Sequence, residues 1–245
     1  MSQSIYQFEH FSNFPELQHG IAPRSVDKFS KFNMSFQFQD EVTVKAHRQH
    51  VLKMTGEGLH DLIGSYQTHS DHILIHRSGD VIPTDEPHDY DAFVSDAIGV
   101  GFIIKTADCQ PVLMYDPIKR AVGLVHSGWK GSLKNVIGKT VKAMVKTFDS
   151  NPQDIRVGIG PSLGPCCAEF SDPKNELNEA ALNHLLPENK VDFWKLTREQ
   201  LNAEGVINDH IQFSYICTVC SKDQWFSYRG DQPDEGRFGS VIGLV

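Results

Sequence analysis

The chain has 245 residues, with 23 Lys and Arg against 31 Asp and Glu and a formal net charge of −8. At 40% hydrophobic and 22% charged it has the composition of a globular protein with a sizeable core, which excludes disordered, collagen-like and low-complexity classes. The acidic balance and the lack of clustered Lys and Arg speak against nucleic acid as a partner, since that affinity is built from phosphate-neutralising cations.

The opening residues, MSQSIYQFEHFSNF, carry no basic stretch followed by an apolar one, so no secretory leader is read. The longest apolar run, Ala97 to Ile104, is broken by Gly99 and Gly101 and falls far short of the ~20 residues that span a membrane. A soluble cytoplasmic protein is expected, one domain over residues 1–245 with 1–19 as an N-terminal extension. Asp71 to Arg77 reads as a strand with His72 and His76 on one face, expected to face solvent and not a metal. Gly79 to Asp91 is a polar, proline-marked loop. Ile98 to Ile104, Pro111 to Tyr115 and Ala121 to His126 are short apolar runs bounded by turn residues, as buried strands are.

Leu133, Val136, Ile137, Val141, Met144, Val145 and Phe148 follow helical spacing, which predicts one amphipathic helix over 132–148. Asp154 to Gly160 reads as the next strand, and in such strand–helix–strand units sites gather where strands end, as at His126. Leu177 to Leu186 and Phe193 to Glu204 are further helix candidates. His210 to Cys217 is expected to be the last strand before an irregular, Gly-rich tail.

Three segments place metal-ligating residues at the edges of apolar runs: Tyr-Gln-Thr-His at 66–69, Thr-Ala-Asp-Cys at 106–109 and Val-His-Ser-Gly-Trp-Lys-Gly at 125–131. Two histidines and a cysteine suit zinc and leave a fourth position open, where a bound water's pKa falls to ~7. The three lie far apart and form no local metal motif, and a Cys in an apolar stretch is ordinarily a small buried hydrophobe. Five cysteines, an odd number, argue against a disulfide framework. Cys217 and Cys220 form a lone Cys-x-x-Cys and Cys166 adjoins Cys167, so with no second Cys-x-x-Cys to complete a zinc ribbon, structural burial is expected of them. Gly123-x4-Gly128 runs into Trp129-Lys130, and the glycine after Gly158-x-Gly160 falls one place late at Gly164, so neither is a nucleotide loop.

The runs TADCQPVLMYDP, AVGLVHSGWKG, GPSLGPCCAEF and CTVC with FSYRGD and GRFGS resemble the laccase-domain family. Its members are described both as multicopper polyphenol oxidases and as purine nucleoside phosphorylases. The resemblance runs from about Gly20 to the C-terminus, and it implies an α+β fold of layered mixed β-sheets flanked by helices. It implies a metal held by His69, Cys109 and His126, with zinc-supported phosphorolysis of adenosine, inosine, guanosine or methylthioadenosine and adenosine deamination. The implied partners are purine nucleosides and phosphate, with the chain as a monomer or homodimer. Copper is possible at such a site because it stands above zinc in divalent affinity. A multicopper oxidase is disfavoured, because the chain contains no His-x-His pair.

Catalytic roles fall to Cys109, His126 and Asp108, the last as a proton shuttle or as a partner orienting a histidine. Phosphorolysis needs an anion site, for which the backbone amides of Ser127 to Ser132, leading into the long helix, and Lys130 are candidates. Arg48 and Arg24 match basic positions in the family's N-terminal part and are candidates for phosphate or ribose, though each reads equally as a solvated surface arginine. Arg229 and Arg237 in the tail could reach a phosphate or pair with Asp231 and Asp234. Ser70, Ser127 and Ser162 stand where the family has glycine, alanine and cysteine. Ala22-Pro23-Arg24-Ser25 lacks the family's Thr-Thr-Arg-x-Gly-Gly, which predicts a differently shaped N-terminal loop. Two rival functions remain: a metal-free Cys109–His126 hydrolase acting on an amide such as a peptidoglycan precursor, and a non-catalytic metal-binding module.

Overall fold

The computed structural model describes residues 4–27, 29–83, 85–231 and 235–245. Residues 1–3 of the leader reading, and Asp234, lie outside them. In chain order the elements are β1 (Leu17–Ile21), α1 (Glu41–Thr55), β2 (Asp61–Ile63), β3 (Ile73–His76), β4 (Ala92–Ser95), β5 (Val100–Thr106), β6 (Gln110–Asp116) and β7 (Ala121–Ser127). There follow α2 (Trp129–Leu133), α3 (Val136–Phe148), β8 (Arg156–Ile159), α4 (Pro173–Glu176), α5 (Glu179–Leu182), β9 (Leu185–Leu186), β10 (Lys190–Val191), α6 (Phe193–Ala203), β11 (Ile211–Phe213) and β12 (Phe238–Leu244).

Two mixed sheets carry the fold. Four strands pair in the order β1-β12-β5-β2 and six in the order β11-β8-β6-β7-β4-β3. Successive residues of a strand point to opposite faces, and β6 shows both being buried. Val112 and Met114 pack with Val136, Ile137, Val141 and Met144 of α3, whereas Leu113 and Tyr115 pack with Phe102, Phe238 and Ile242 of the other sheet. The outer face of the four-stranded sheet, at Ile103 and Val241, is covered by Val51 of α1. The layers therefore run helix, sheet, sheet, helix. Strands between two covered faces need no polar alternation, which is why β5, β6 and β7 appear as unbroken apolar runs. Residues read as an N-terminal extension join this core: Phe8 and Phe11 are buried in it, and β1 pairs with β12. Among the described residues no helix is long and apolar enough to cross a membrane.

Several expected elements are corrected. The single helix over 132–148 is two, because Asn135 takes a left-handed conformation and its side chain accepts the Gly138 N–H at 3.0 Å, starting a new helix. The helix over 177–186 shortens to α5, which Asn178, extended at φ −83°, caps by accepting the Ala181 N–H, and Leu185–Leu186 form β9 instead. The strand over 210–217 shrinks to β11, and the tail is not irregular: β12 lies between β1 and β5. Its glycines serve close packing, since a Cβ at Gly239 would meet Met34 at 2.7 Å and one at Gly243 the Val100 carbonyl at 2.6 Å. His72 faces solvent as expected, but His76 is buried against Phe102.

Candidate functional site

His69, Cys109 and His126 come from three chain segments that meet at one end of the six-stranded sheet. His126 is near the end of β7, Cys109 sits in the β5–β6 turn, and His69 lies in the loop before β3. Their ligand atoms all lie within 4.8 Å of one another, with Cys109 Sγ 3.6 Å from His69 Nε2. His69 and Asp108 both take left-handed backbone conformations, at φ 60° and 84°, and such strain in non-glycine residues concentrates at functional sites.

Asp91, at the end of the polar loop over 79–91, organises this group. It is fully buried just before β4 and accepts from His126 Nδ1 at 2.6 Å. It also accepts from the backbone N–H groups of Thr68, His69 and Ser70 at 3.2, 3.1 and 2.6 Å, and from the Ser70 hydroxyl at 2.7 Å. The serine found here in place of the family's glycine thus adds one more donor to this carboxylate. Burial pushes the Asp91 pKa up, but the bonds from His126 and Ser70 outweigh it and hold it at about 2.

Burial also opposes the charged forms of Cys109 and His126, yet each stabilises the other. His126 and then His69 bring the Cys109 thiol down to about 6, and Cys109 with Asp91 raises His126 to about 9. The thiolate that a metal needs is therefore already favoured. Because Asp91 engages Nδ1 of His126, the other ring nitrogen is left for the centre. Space has been cleared as well: a Cβ on Gly128 would stand 2.5 Å from His69 Cδ2 and 2.9 Å from Cys109 Sγ. Two imidazoles, one thiolate and this cleared room fit a single borderline-soft metal ion.

The group opens into a cleft of about 710 Å³, within the size range of small-molecule sites. Tyr66, Phe170 and Tyr228 give it aromatic walls, and Arg229 and Arg237 give it cations. Asp108 lines it too, but its carboxylate accepts from the Thr218 and Ser227 hydroxyls and the Arg229 N–H, each at 2.7 Å. These are loop-fastening bonds, and the carboxylate that orients a histidine is that of Asp91.

The expected anion-binding residues are placed differently. Arg24 is not among the cleft-lining residues; it pairs with Asp231 at 3.1 Å and Glu235 at 3.6 Å and stacks over Phe226. Lys130 is exposed, with Nζ 5.5 Å from the Trp129 ring centroid, and does not line the cleft. Arg48 is buried behind the cleft wall, stacked on Phe36 and bonded to Glu86 at 2.8 Å. Glu86 also holds Lys105 at 2.9 Å, and burial lowers the Lys105 pKa to about 8. The helix that starts beside Ser127 is the five-residue α2, so the dipole of α3 does not bear on this point. Arg229 and Arg237, read as tail arginines, are the ones brought to the site.

The remaining cysteines are not separate buried residues: the thiols of Cys166, Cys167, Cys217 and Cys220 all lie within 4.8 Å of one another, and only Cys217 is buried.

The family model for multi-copper polyphenol oxidoreductase laccase matches residues 18–245. The human protein named purine nucleoside phosphorylase LACC1 is 30% identical over 230 residues, which is 90% of this chain and 51% of that protein, so the chain spans about half of it. A purine nucleoside phosphorylase of Clostridium acetobutylicum is 38% identical over 181 residues, covering 72% of this chain and 74% of the relative. The crystal structure of a Bacillus licheniformis hypothetical protein, YfiH, superimposes with a TM-score of 0.85 at 27% identity, covering 99% of this chain and 97% of that one.

Proposed function

The chain belongs to the multi-copper polyphenol oxidoreductase laccase family, and within that family we propose that it is a zinc-dependent purine nucleoside phosphorylase that also deaminates adenosine. One observation carries the reading: the His69–Cys109–His126 group and two arginines, Arg229 and Arg237, line the same cleft. Relatives named as purine nucleoside phosphorylases support it. A phenol oxidase with several coppers is poorly matched, because the chain has no His-x-His pair and this group supplies donors for one ion.

His69, Cys109 and His126 would hold the zinc, which would supply a Lewis acid for polarising a water or the bound purine. The protein's own groups do the rest. Asp91 keeps the proton of His126 on Nδ1, which fixes the tautomer and the ring. Tyr66, Phe170 and Tyr228 present aromatic rings to a purine. Arg229 and Arg237 draw phosphate into the cleft and hold it for attack. In phosphorolysis a phosphate oxygen bonds to C1′ of the ribose as the glycosidic bond to the purine nitrogen breaks. The departing base keeps that electron pair and takes a proton, leaving ribose 1-phosphate. In deamination water adds at C6 of adenine and ammonia leaves. Adenosine, inosine, guanosine and methylthioadenosine share the reacting C1′ and are the substrates proposed.

The test joins metal analysis to a product assay with adenosine and phosphate, with and without chelator. About one zinc at this group, with chelator-sensitive release of adenine or inosine, is the expected result. Turnover that persists in metal-free protein overturns it. A second reading, a thiol hydrolase, draws on the alignment of Cys109, His126 and Asp91 as nucleophile, base and orienting acid. It predicts amide hydrolysis that survives chelation and is abolished when Cys109 is alkylated.

A further inference from the structure

We propose that Cys166, Cys167, Cys217 and Cys220 form a second metal site, an all-thiolate zinc that staples two loops beside the cleft. The inference does not depend on the nucleoside reading, and none of its four ligands belongs to that site. Cys166 and Cys167 lie in the turn that follows β8, and Cys217 and Cys220 in the turn that follows β11. The two pairs are more than fifty residues apart in the chain, yet Ser162 and Cys217 form a parallel bridge that brings the turns side by side.

The geometry is that of ligands around an ion. Zinc–sulfur bonds of ~2.3 Å at tetrahedral angles set neighbouring sulfurs ~3.8 Å apart. Here Cys220 Sγ lies 3.6 Å from Cys166 Sγ and 3.7 Å from Cys167 Sγ, and every pair of the four is within 4.8 Å. A disulfide would draw two of them to ~2.05 Å and leave the other two behind, whereas all five cysteines are free. Cys217 Sγ also accepts the Gly164 N–H at 3.4 Å, the kind of outer bond that orients and stabilises a ligating thiolate. Four sulfurs and no oxygen or imidazole select zinc over the hard cations.

The position gives such a site a purpose. Among the described residues no helix or strand lies between β11 and β12, so a metal there would add a fastening to these loops. Thr218, inside the Cys217–Cys220 turn, donates its hydroxyl to Asp108, the neighbour of Cys109. Arg229 donates to the Cys167 carbonyl at 3.0 Å. Zinc at the four cysteines would therefore hold both the Asp108 turn and a cleft arginine in place without touching substrate.

The experiment measures metal content in the full chain, its Cys109→Ala/His126→Ala variant and its Cys166→Ser/Cys220→Ser variant, all purified under reducing conditions without chelator. Two zinc ions per chain are expected in the first and one in each variant. Cobalt(II) added to metal-free Cys109→Ala/His126→Ala protein should give the intense visible bands of tetrahedral cobalt thiolate. Should the serine variant fail to fold, alkylation of the Cys109→Ala/His126→Ala protein still decides. Thiols protected until chelator is added support the site. A folded Cys109→Ala/His126→Ala variant with no zinc, or a wild-type mass lacking two hydrogens because two of these cysteines are joined, overturns it.

Discussion

His126 Nδ1 and a carboxylate oxygen of Asp91 lie 2.6 Å apart across 35 residues of chain. The same carboxylate gathers the backbone of Thr68, His69 and Ser70, so one buried acid positions both histidines, one through its ring and the other through its loop. The geometry of the ligands thus depends on a residue that is not itself among them.

Replacing Asp91 with Asn nearly preserves volume but removes the charge and turns an amide N–H₂ toward existing donors. Metal affinity is expected to fall about 10–100-fold, the usual cost of losing such an outer partner, as read by competition with a chelator. Asp91→Ala should in addition lower the melting temperature, because it takes the acceptor from the N–H groups of residues 68–70, of which that of Ser70 is buried. Unchanged affinity in Asp91→Asn would mean that the histidines are oriented by something else.

Gly128→Ala tests the cleared space directly. Gly128 sits at φ −73° and ψ 169°, a conformation open to alanine, so the backbone bears no strain and only the new methyl matters. At 2.5 Å from His69 Cδ2 and 2.9 Å from Cys109 Sγ it must push a ligand aside. The expected outcome is a protein with native circular dichroism and little bound metal at this group. Full metal content would show that the ring and thiol yield without cost.

What the sequence made legible follows physical locality. The central strands announced themselves as apolar runs because both of their faces are covered, and the three ligands stood in recognisable segments. Asp91 did not: it ends a polar loop, and its role exists only once β4 lies against β7, where its carbonyl also accepts the His126 N–H. Its one sequence signal is its place at a strand end, just before Ala92. The four cysteines read as unrelated pairs because a metal site across two loops has no spacing rule. Arg24 and Lys130 lie off the cleft for a different reason, since proximity to a motif says nothing of where a long side chain points. Asn135 could have been read as a helix break, because an Asn that caps the third residue on is a known start signal.

Arg229 should separate the two proposed reactions. Charge-assisted bonds are worth about 1.5–3 kcal/mol, so Arg229→Ala is expected to raise the KM for phosphate about tenfold or more while adenosine deamination, which uses water, keeps its kcat. Arg229→Lys serves as the control that keeps the charge but loses the bonds to the Cys167 and Glu169 carbonyls. Arg24→Ala, which breaks only pairs outside the cleft, should leave the phosphate KM unchanged. Equal losses in both reactions for Arg229→Ala would place this arginine in the scaffold and not at phosphate.

Acid stability is expected to hinge on His19 in β1. Its Nε2 accepts the Phe8 N–H at 2.9 Å and its ring packs on Phe8 and Phe11, so the neutral form is the one the fold uses. Burial, and then the neighbouring His10, lower its pKa to about 4, whereas the unfolded chain titrates near ~6.5. As pH falls through that window the unfolded state takes up a proton that the native state refuses, so stability declines with falling pH. For a residue only 3% exposed the full loss is on the order of 3 kcal/mol. His10 is held at about 4 as well, by burial and then by Arg156, and contributes in the same direction. His19→Gln keeps an acceptor but does not titrate, so urea unfolding should give it a shallower decline between about pH 6.5 and 4 than the wild type. Parallel pH profiles for the two would show that the proton is taken up elsewhere.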